Sequence, residues 1–93
     1  MTHVALGRKK ATSLYSEDDF MVVQLYNTKI IKWDDSKIVL NSGGWKTNTT
    51  KARINQASWE NNLGISVSQV DSNWYVYQGS EVIPFSDGMT ISR

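Results

Sequence analysis

The residues whose types and spacing best suit binding chemistry lie between positions 42 and 53. Gly43 and Gly44 permit positive φ angles and let backbone amides approach an anion closely. A threonine cluster follows at the predicted start of a helix, where free N–H groups and partial positive charge favour phosphate or sulfate. The residues predicted to bind the anion are Gly43, Gly44, Thr47, Thr49, Thr50, Lys51 and Arg53.

The same residues also have a purely structural interpretation. The two glycines would make a tight turn from strand to helix, one threonine would cap the helix, and Lys51 and Arg53 would be solvated. A Walker phosphate loop is excluded, because the order Gly-x4-Gly-Lys-Thr is absent. The sequence leaves both interpretations open.

Charge along the chain points to nucleic acid as a source of phosphate. Residues 29–53 carry six Lys or Arg against two Asp, a net charge of +4, whereas the whole chain carries +1. Lys29, Lys32 and Lys37 lie on the predicted hairpin before the glycines. A pI near 8.0 argues against a dedicated binder, whose domain pI usually exceeds about 9. The side chains offered for base stacking are Trp33, Trp45 and Trp59, and those offered for base contacts are Asn55 and Gln56.

A protein-binding module is the alternative hypothesis. A domain this small has little room for a deep pocket and acts through its surface. The candidate contacts are Trp59, the hairpin residues Trp74, Tyr75 and Tyr77, and exposed edge strands. Strand addition at such an edge would also make a homodimer. The protein would then inhibit or redirect a host or phage protein; a minor virion component is a third, weaker hypothesis.

The side chains that most enzymes use are scarce. The chain has no Cys and one His, His3, which excludes thiol nucleophiles, histidine triads and multi-His metal sites. The pair Asp34 and Asp35 is a poor chelate, because adjacent side chains in a turn usually point apart. We therefore expect no enzymatic activity, no catalytic residue, no cofactor and no metal.

The pattern of apolar residues predicts an α+β fold. Five strands and one helix are predicted in the order βββ-α-ββ, with a further short strand near the C-terminus and an antiparallel sheet of about five strands. The helix is predicted over residues 50–62, with Ile54 and Ala57 facing the sheet. Trp59 would then be partly exposed, unless it packs against a strand or the arm. Residues 1–19 are predicted to form an N-terminal arm, with a possible strand at residues 2–6, and residues 20–93 a single domain.

Composition agrees with a soluble globular protein. Hydrophobic residues make up 40% of the chain and charged residues 20%. No apolar run approaches the ~18 residues of a membrane helix, and the N-terminus lacks the apolar stretch of a signal peptide. We expect neither a membrane partner nor secretion.

The middle of the chain resembles a family of small bacteriophage proteins. The run that ends in Trp45, with the residues after it, is similar to the family signature LNSGGW-x-T-x-TTK-x-R-x-NQ. The resemblance covers roughly Val22 to Gln78 and leaves the first 20 residues outside. It implies a viral origin and a location in the cytoplasm of the bacterial host, and it supplies no activity.

Overall fold

The computed structural model describes residues 12–44 and 46–93. In this part of the chain, eight strands surround a single helix. The strands are β1 (Thr12–Glu17), β2 (Phe20–Leu25), β3 (Thr28–Trp33), β4 (Lys37–Leu40), β5 (Ile65–Val70), β6 (Asn73–Gln78), β7 (Glu81–Pro84) and β8 (Met89–Ser92), and helix α1 (Asn48–Glu60) lies between β4 and β5.

The strands form two antiparallel sheets. One sheet has the order β1-β2-β3-β4-β8 and the other the order β5-β6-β7. The predicted α+β class is confirmed, but the single sheet is corrected to two. The reason is that, within the described residues, β5 and β7 pair only with β6, while β8 returns to β4 with Ile91 opposite Ile38. Alternating apolar residues indicate a strand without indicating its partner.

The core lies between the inner face of the five-stranded sheet, helix α1 and the inner face of the three-stranded sheet. Trp74 and Phe85 pack edge to face in it, with their ring centroids 5.2 Å apart. Ile54 and Ala57 of the helix are fully buried, as the helical pattern predicts. The completely buried aliphatic side chains of the core are Val23, Ile31, Ile38, Leu40, Ile54 and Val76.

Strand β1 lies inside the segment that the sequence assigns to the N-terminal arm. It pairs residue for residue with β2, from Thr12 opposite Leu25 to Glu17 opposite Phe20. Asp18 and Asp19 make the turn with positive φ angles, a conformation that Asp tolerates in tight hairpins. The serines of β1 weaken its apolar alternation, which explains why the pattern is hard to recognise. The rest of the arm, including the possible strand at residues 2–6, lies outside the described residues.

Helix α1 begins two residues earlier than predicted because Thr47 is its cap. The Thr47 hydroxyl accepts a hydrogen bond from the Thr50 amide at 3.2 Å. The helix ends at Glu60, and the chain turns through Asn62 and Gly64, both at positive φ. No helix in residues 12–44 and 46–93 has the length and apolar character needed to span a membrane.

Side chains of helix α1 cover the free edge of β5. The side-chain amide of Asn55 accepts a hydrogen bond from the Val67 N–H at 2.7 Å and donates one to the Val67 carbonyl oxygen at 3.0 Å. The Ser58 hydroxyl donates to Ile65 O at 2.6 Å and accepts from Ile65 N at 3.2 Å. The helix thus supplies the hydrogen bonds that a neighbouring strand would otherwise make. The Asn55 side chain, which the sequence offered for base contacts, therefore has a structural role.

Candidate functional site

The turn between β4 and α1 is closed by the chain's own side chains. The amide and the hydroxyl of Ser42 both donate to Asp87 Oδ1, each at 2.7 Å. The Gly43 amide donates to Asn41 Oδ1 at 2.7 Å, and the Gly44 amide donates to Ser42 Oγ at 3.2 Å. The three amides on which the anion hypothesis relies therefore already have acceptors, and one acceptor is a carboxylate.

The Asp87 carboxylate occupies the place that the hypothesis gives to a bound anion. Partial burial is the largest single effect and by itself would raise the pKa of this carboxyl, whereas the two hydrogen bonds from Ser42 lower it. Together with the charge of Lys46 and the Gly44 amide, they hold the pKa of Asp87 below its ordinary value. The Asp87 carboxylate therefore takes the place of a bound anion, and its hydrogen bonds with Ser42 hold the β7–β8 loop against the glycine turn.

Replacing Asp87 with asparagine should destabilise the protein at neutral pH and not in acid. A lowered pKa in the folded state means that the contribution of Asp87 is complete above its ordinary pKa, 3.8, and is lost as the pH falls through the lower folded value. Because the carboxylate is largely exposed, we expect about 1 kcal/mol, or about 4–8 °C in Tm. Thermal melts of both proteins from pH 7 to pH 2 measure this difference. A gap in Tm that does not narrow in acid would contradict the assignment.

The hydroxyl groups at the start of α1 line a small uncharged cavity. Its volume is about 440 Å³. The Thr47 and Thr50 hydroxyls lie 3.1 Å apart in a mutual hydrogen bond, and Thr49 is exposed. The described lining contains no Lys or Arg; it consists of Leu25, Tyr26, Thr28, Ile30, Ser42, Thr47, Thr49 and Thr50.

Lys51 and Arg53 are directed away from the glycine turn. Lys51 Nζ donates to Gln69 Oε1 at 3.2 Å and lies 5.8 Å from the centroid of the Trp74 ring. Arg53 Nη1 donates to Gln56 Oε1 at 3.3 Å, one helical turn further on. The two cations thus have different surroundings: Lys51 reaches the three-stranded sheet, and Arg53 stays along the helix. Gln56, which the sequence offered for base contacts, is the partner of Arg53.

The lysines of the β3–β4 hairpin lie on the outer face of the five-stranded sheet. Lys29 forms an ion pair with Glu17 at 2.6 Å, which raises its pKa through the hydrogen bond between the two groups. Lys32 and Lys37 lie over the Phe20 ring, 4.8 and 5.5 Å from its centroid. The +4 charge of residues 29–53 is therefore spread over separate surfaces. The anion-binding role of the predicted residues stays a prediction. The hypothesis requires their cations to meet at the glycine turn, and the fold does not bring them together there.

The outer face of the three-stranded sheet presents uncharged side chains. Strand register places Tyr77 between Ser66 and Val82, and Tyr75 between Ser68 and Pro84. Trp74, by contrast, faces the core and is only 4% exposed, so it is removed from the predicted contact residues.

Trp59 stands beside this sheet, on the solvent side of α1. Its side chain is 78% exposed, so the alternative in which it packs against a strand is wrong. A groove of about 580 Å³ begins at Trp59 and reaches Ile65 and Ser66 at the start of β5. We call this continuous surface the aromatic face; it comprises Trp59, Ser66, Val70, Tyr75, Tyr77 and Val82. Of the other two candidates for stacking, Trp33 is buried in the core, so that role is wrong for it. Trp45 lies outside the described residues.

The free edge of β7 carries features that disfavour strand addition. Glu81 is exposed at one end of the strand, and Pro84 lacks an N–H group at the other. The edge of β5 is covered by Asn55 and Ser58 of the helix. A homodimer through an edge strand stays a prediction that neither of these edges favours.

Sequence reasoning places Asp87 only in a turn and does not identify its partner. Ser42 lies 45 residues earlier, and no local pattern joins the two. The exposed position of Val82 opposite Tyr77 is also missed, although the short β7 is expected. Among residues 12–44 and 46–93, no three His, Cys, Asp or Glu side chains are grouped to hold a metal ion.

Comparison with known proteins places the chain among viral proteins. The family model described as Kyanoviridae Gp96 protein matches residues 4–92. The match begins well before Val22, so the expectation that the first 20 residues lie outside the family is wrong. The comparisons with curated proteins and with solved structures each find no match. Over nearly its whole length, the chain belongs to the Kyanoviridae Gp96 protein family, a family of small phage proteins.

Proposed function

We propose that this phage protein is a non-enzymatic module that binds another protein, of the host or of the phage, through the aromatic face. The observation that carries the proposal is Trp59, an indole left 78% exposed and continuous with a sheet surface of tyrosines, valines and serines. Exposed apolar patches of this kind usually mark interaction sites. Trp and Tyr are also the side chains most enriched among residues that dominate binding energy.

Charge favours a protein partner over nucleic acid. Residues 54–92 contain no Lys, Arg or His and four carboxylates, Glu60, Asp71, Glu81 and Asp87. All residues of the aromatic face come from this segment, whereas Lys29, Lys32 and Lys37 lie on the other sheet. A nucleic-acid surface needs cations beside its stacking residues to neutralise phosphates. The centre of the aromatic face has no charged side chain, and the centres of protein interfaces are likewise depleted of charged residues.

Capture from nuclease-treated lysate of infected host cells tests the proposal, with three forms of the protein as bait. Wild type should retain a specific protein. Trp59→Ala should weaken its affinity about 30-fold, which corresponds to the roughly 2 kcal/mol of a dominant contact. Lys32→Ala is the matched control, because this half-buried residue lies on the outer face of the other sheet. Thermal melts should show that all three baits are folded, since the Trp59 side chain contributes little to the core.

Two results would contradict the proposal. In the first, the captured protein is retained equally by Trp59→Ala. In the second, nuclease removes the captured material, and the purified protein binds single or double strands with an affinity that falls steeply with salt. That second result would restore the anion-binding hypothesis for residues 43–53.

A further inference from the structure

Strand β1 forms one edge of the five-stranded sheet, and its outward-facing backbone groups have no hydrogen-bond partner within the described residues. The two-residue turn after Glu17 makes that residue a hydrogen-bonded partner of β2. Bonded residues alternate along an antiparallel strand, so the N–H and C=O groups of Thr12, Leu14 and Ser16 point away from β2. We call these backbone groups the β1 edge.

The other free strand edges in the described part of the chain are each protected. Side chains of helix α1 bond to the edge of β5, and the short edge of β7 ends in Pro84, which lacks an N–H group. At the edge of β8, the Ser92 carbonyl oxygen accepts a hydrogen bond from Gln78 Nε2 at 2.6 Å. Strand β1 has six residues, none of them Pro, Lys or Arg. A long edge without such protection is a template for another strand.

The side chains of β1 are arranged symmetrically about Leu14. On the core side of the strand, Leu14 lies between two hydroxyl residues, Thr12 and Ser16. A two-fold axis at Leu14 therefore places this leucine opposite its counterpart in a second copy, and Thr12 opposite Ser16 of the second copy. Leu14 packs on the core but is only half-buried, so a contact between the two leucines covers apolar surface that one copy leaves in water.

Charge does not oppose this pairing. The carboxylate of β1 is Glu17, the last residue of the strand, so antiparallel pairing keeps the two copies of Glu17 at opposite ends. Within each copy, Glu17 is paired with Lys29 at 2.6 Å. The chain carries a net charge of +1, so repulsion between two copies is weak.

We propose that two copies of this chain join through the β1 edge in antiparallel orientation, so that two sheets of five strands become one sheet of ten. The pairs are Leu14 with Leu14, and Thr12 with Ser16 on either side, which gives about six backbone hydrogen bonds. The contact is isologous and uses up the β1 edge in both copies, so association beyond the dimer requires a second uncovered edge. This interface is separate from the aromatic face, and the inference does not depend on the proposed function.

Sedimentation of the full chain tests the interface. Wild type should be a dimer at about 200 μM and should dissociate on dilution to about 1 μM. Ser16→Pro removes an outward N–H group without removing a bond between β1 and β2, and should raise the dissociation constant at least about tenfold. Ser16→Ala is the matched control, because it keeps this N–H group, and it should stay within about threefold of wild type. Since Ser16 is exposed, thermal melts should show that both variants are folded.

Single cysteines test the register, since the chain has no Cys of its own. Leu14→Cys places two thiols opposite each other at the two-fold axis, within the range of a disulfide, and should form covalent dimers under mild oxidation. Ser13→Cys would face Tyr15 of the second copy on the opposite side of the sheet. It should therefore form covalent dimers at least about fivefold more slowly.

Four results would overturn the inference. The first is a wild-type chain that stays monomeric at about 200 μM. The second is Ser16→Pro that dimerises as tightly as Ser16→Ala. The third is loss of the dimer in Trp59→Ala, which would place the contact on the aromatic face. The fourth is equal cross-linking of the two cysteine variants, which would exclude the two-fold axis at Leu14. The proposed function stands or falls separately, by the capture experiment with Trp59→Ala.

Discussion

Replacing Asn55 with alanine should lower the free energy of unfolding by about 3 kcal/mol, or roughly 12–24 °C in Tm. The amide of Asn55 makes two hydrogen bonds to the backbone of Val67, which is only 3% exposed. Alanine would leave both the N–H and the C=O of Val67 without a protein partner. A buried polar group that loses its partner costs about 1–3 kcal/mol, and the higher helix propensity of alanine recovers only about 0.5 kcal/mol.

Chemical denaturation measures the loss, and exchange of the Val67 amide proton identifies its cause. In wild type this proton should be among the protected ones, whereas in the variant it should exchange faster even after correction for global stability. Gln56→Ala is the matched control one residue along the helix. Among the described residues, its side chain bonds only to Arg53 and Glu60, so the change should cost less than about 1 kcal/mol. Equal losses in the two variants would refute the role of Asn55.

The same variant should also increase self-association. In the native protein Asn55 and Ser58 occupy the edge of β5. An uncovered edge offers unpaired N–H and C=O groups to another chain. We therefore expect sedimentation of Asn55→Ala to show concentration-dependent association that the Gln56→Ala control lacks.

Local signals in the sequence predict most elements of this fold, because each has a clear pattern. The buried runs of β2 and β3 are rich in β-branched residues, and the threonines before α1 include its cap, Thr47. The side of the helix that faces the core follows from Ile54 and Ala57. These predictions depend on residues a few positions apart, and for that reason they succeed.

Long-range pairing explains what the sequence does not predict. Whether β8 joins β4 or β7 depends on tertiary packing, and so does the engagement of the glycine turn by Asp87. The run of positive charge from Lys29 to Arg53 is linear, and the fold distributes it over one face of the five-stranded sheet, the β4–α1 turn and helix α1. A charge sum over consecutive residues therefore overstates the local field, because strands and helices turn neighbouring side chains apart.

Gly43→Ala should destabilise the protein by about 3 kcal/mol, through two separable effects. Gly43 has φ = +65°, a conformation that costs an L-residue about 1 kcal/mol or more. A Cβ atom at this position would also overlap the Thr28 side chain, with Thr28 Cγ2 at 2.8 Å and Thr28 Cβ at 3.1 Å. Such an overlap in a packed region typically adds about 1–3 kcal/mol.

Gly44→Ala is the control that isolates the backbone effect. Gly44 has φ = +83°, but a Cβ there would meet no atom within 4 Å, so we expect a loss of about 1 kcal/mol. Adding Thr28→Ala to Gly43→Ala removes Thr28 Oγ1 and Cγ2, the two closest of the overlapping atoms, and leaves only Cβ. It should therefore recover about 1–2 kcal/mol as coupling energy in urea denaturation. Similar losses for the two glycine variants, or no coupling with Thr28, would mean that close packing does not require glycine at position 43. The expected asymmetry would instead establish that Gly43 serves the contact between the β4–α1 turn and the start of β3, a structural reason for this glycine that requires no bound anion.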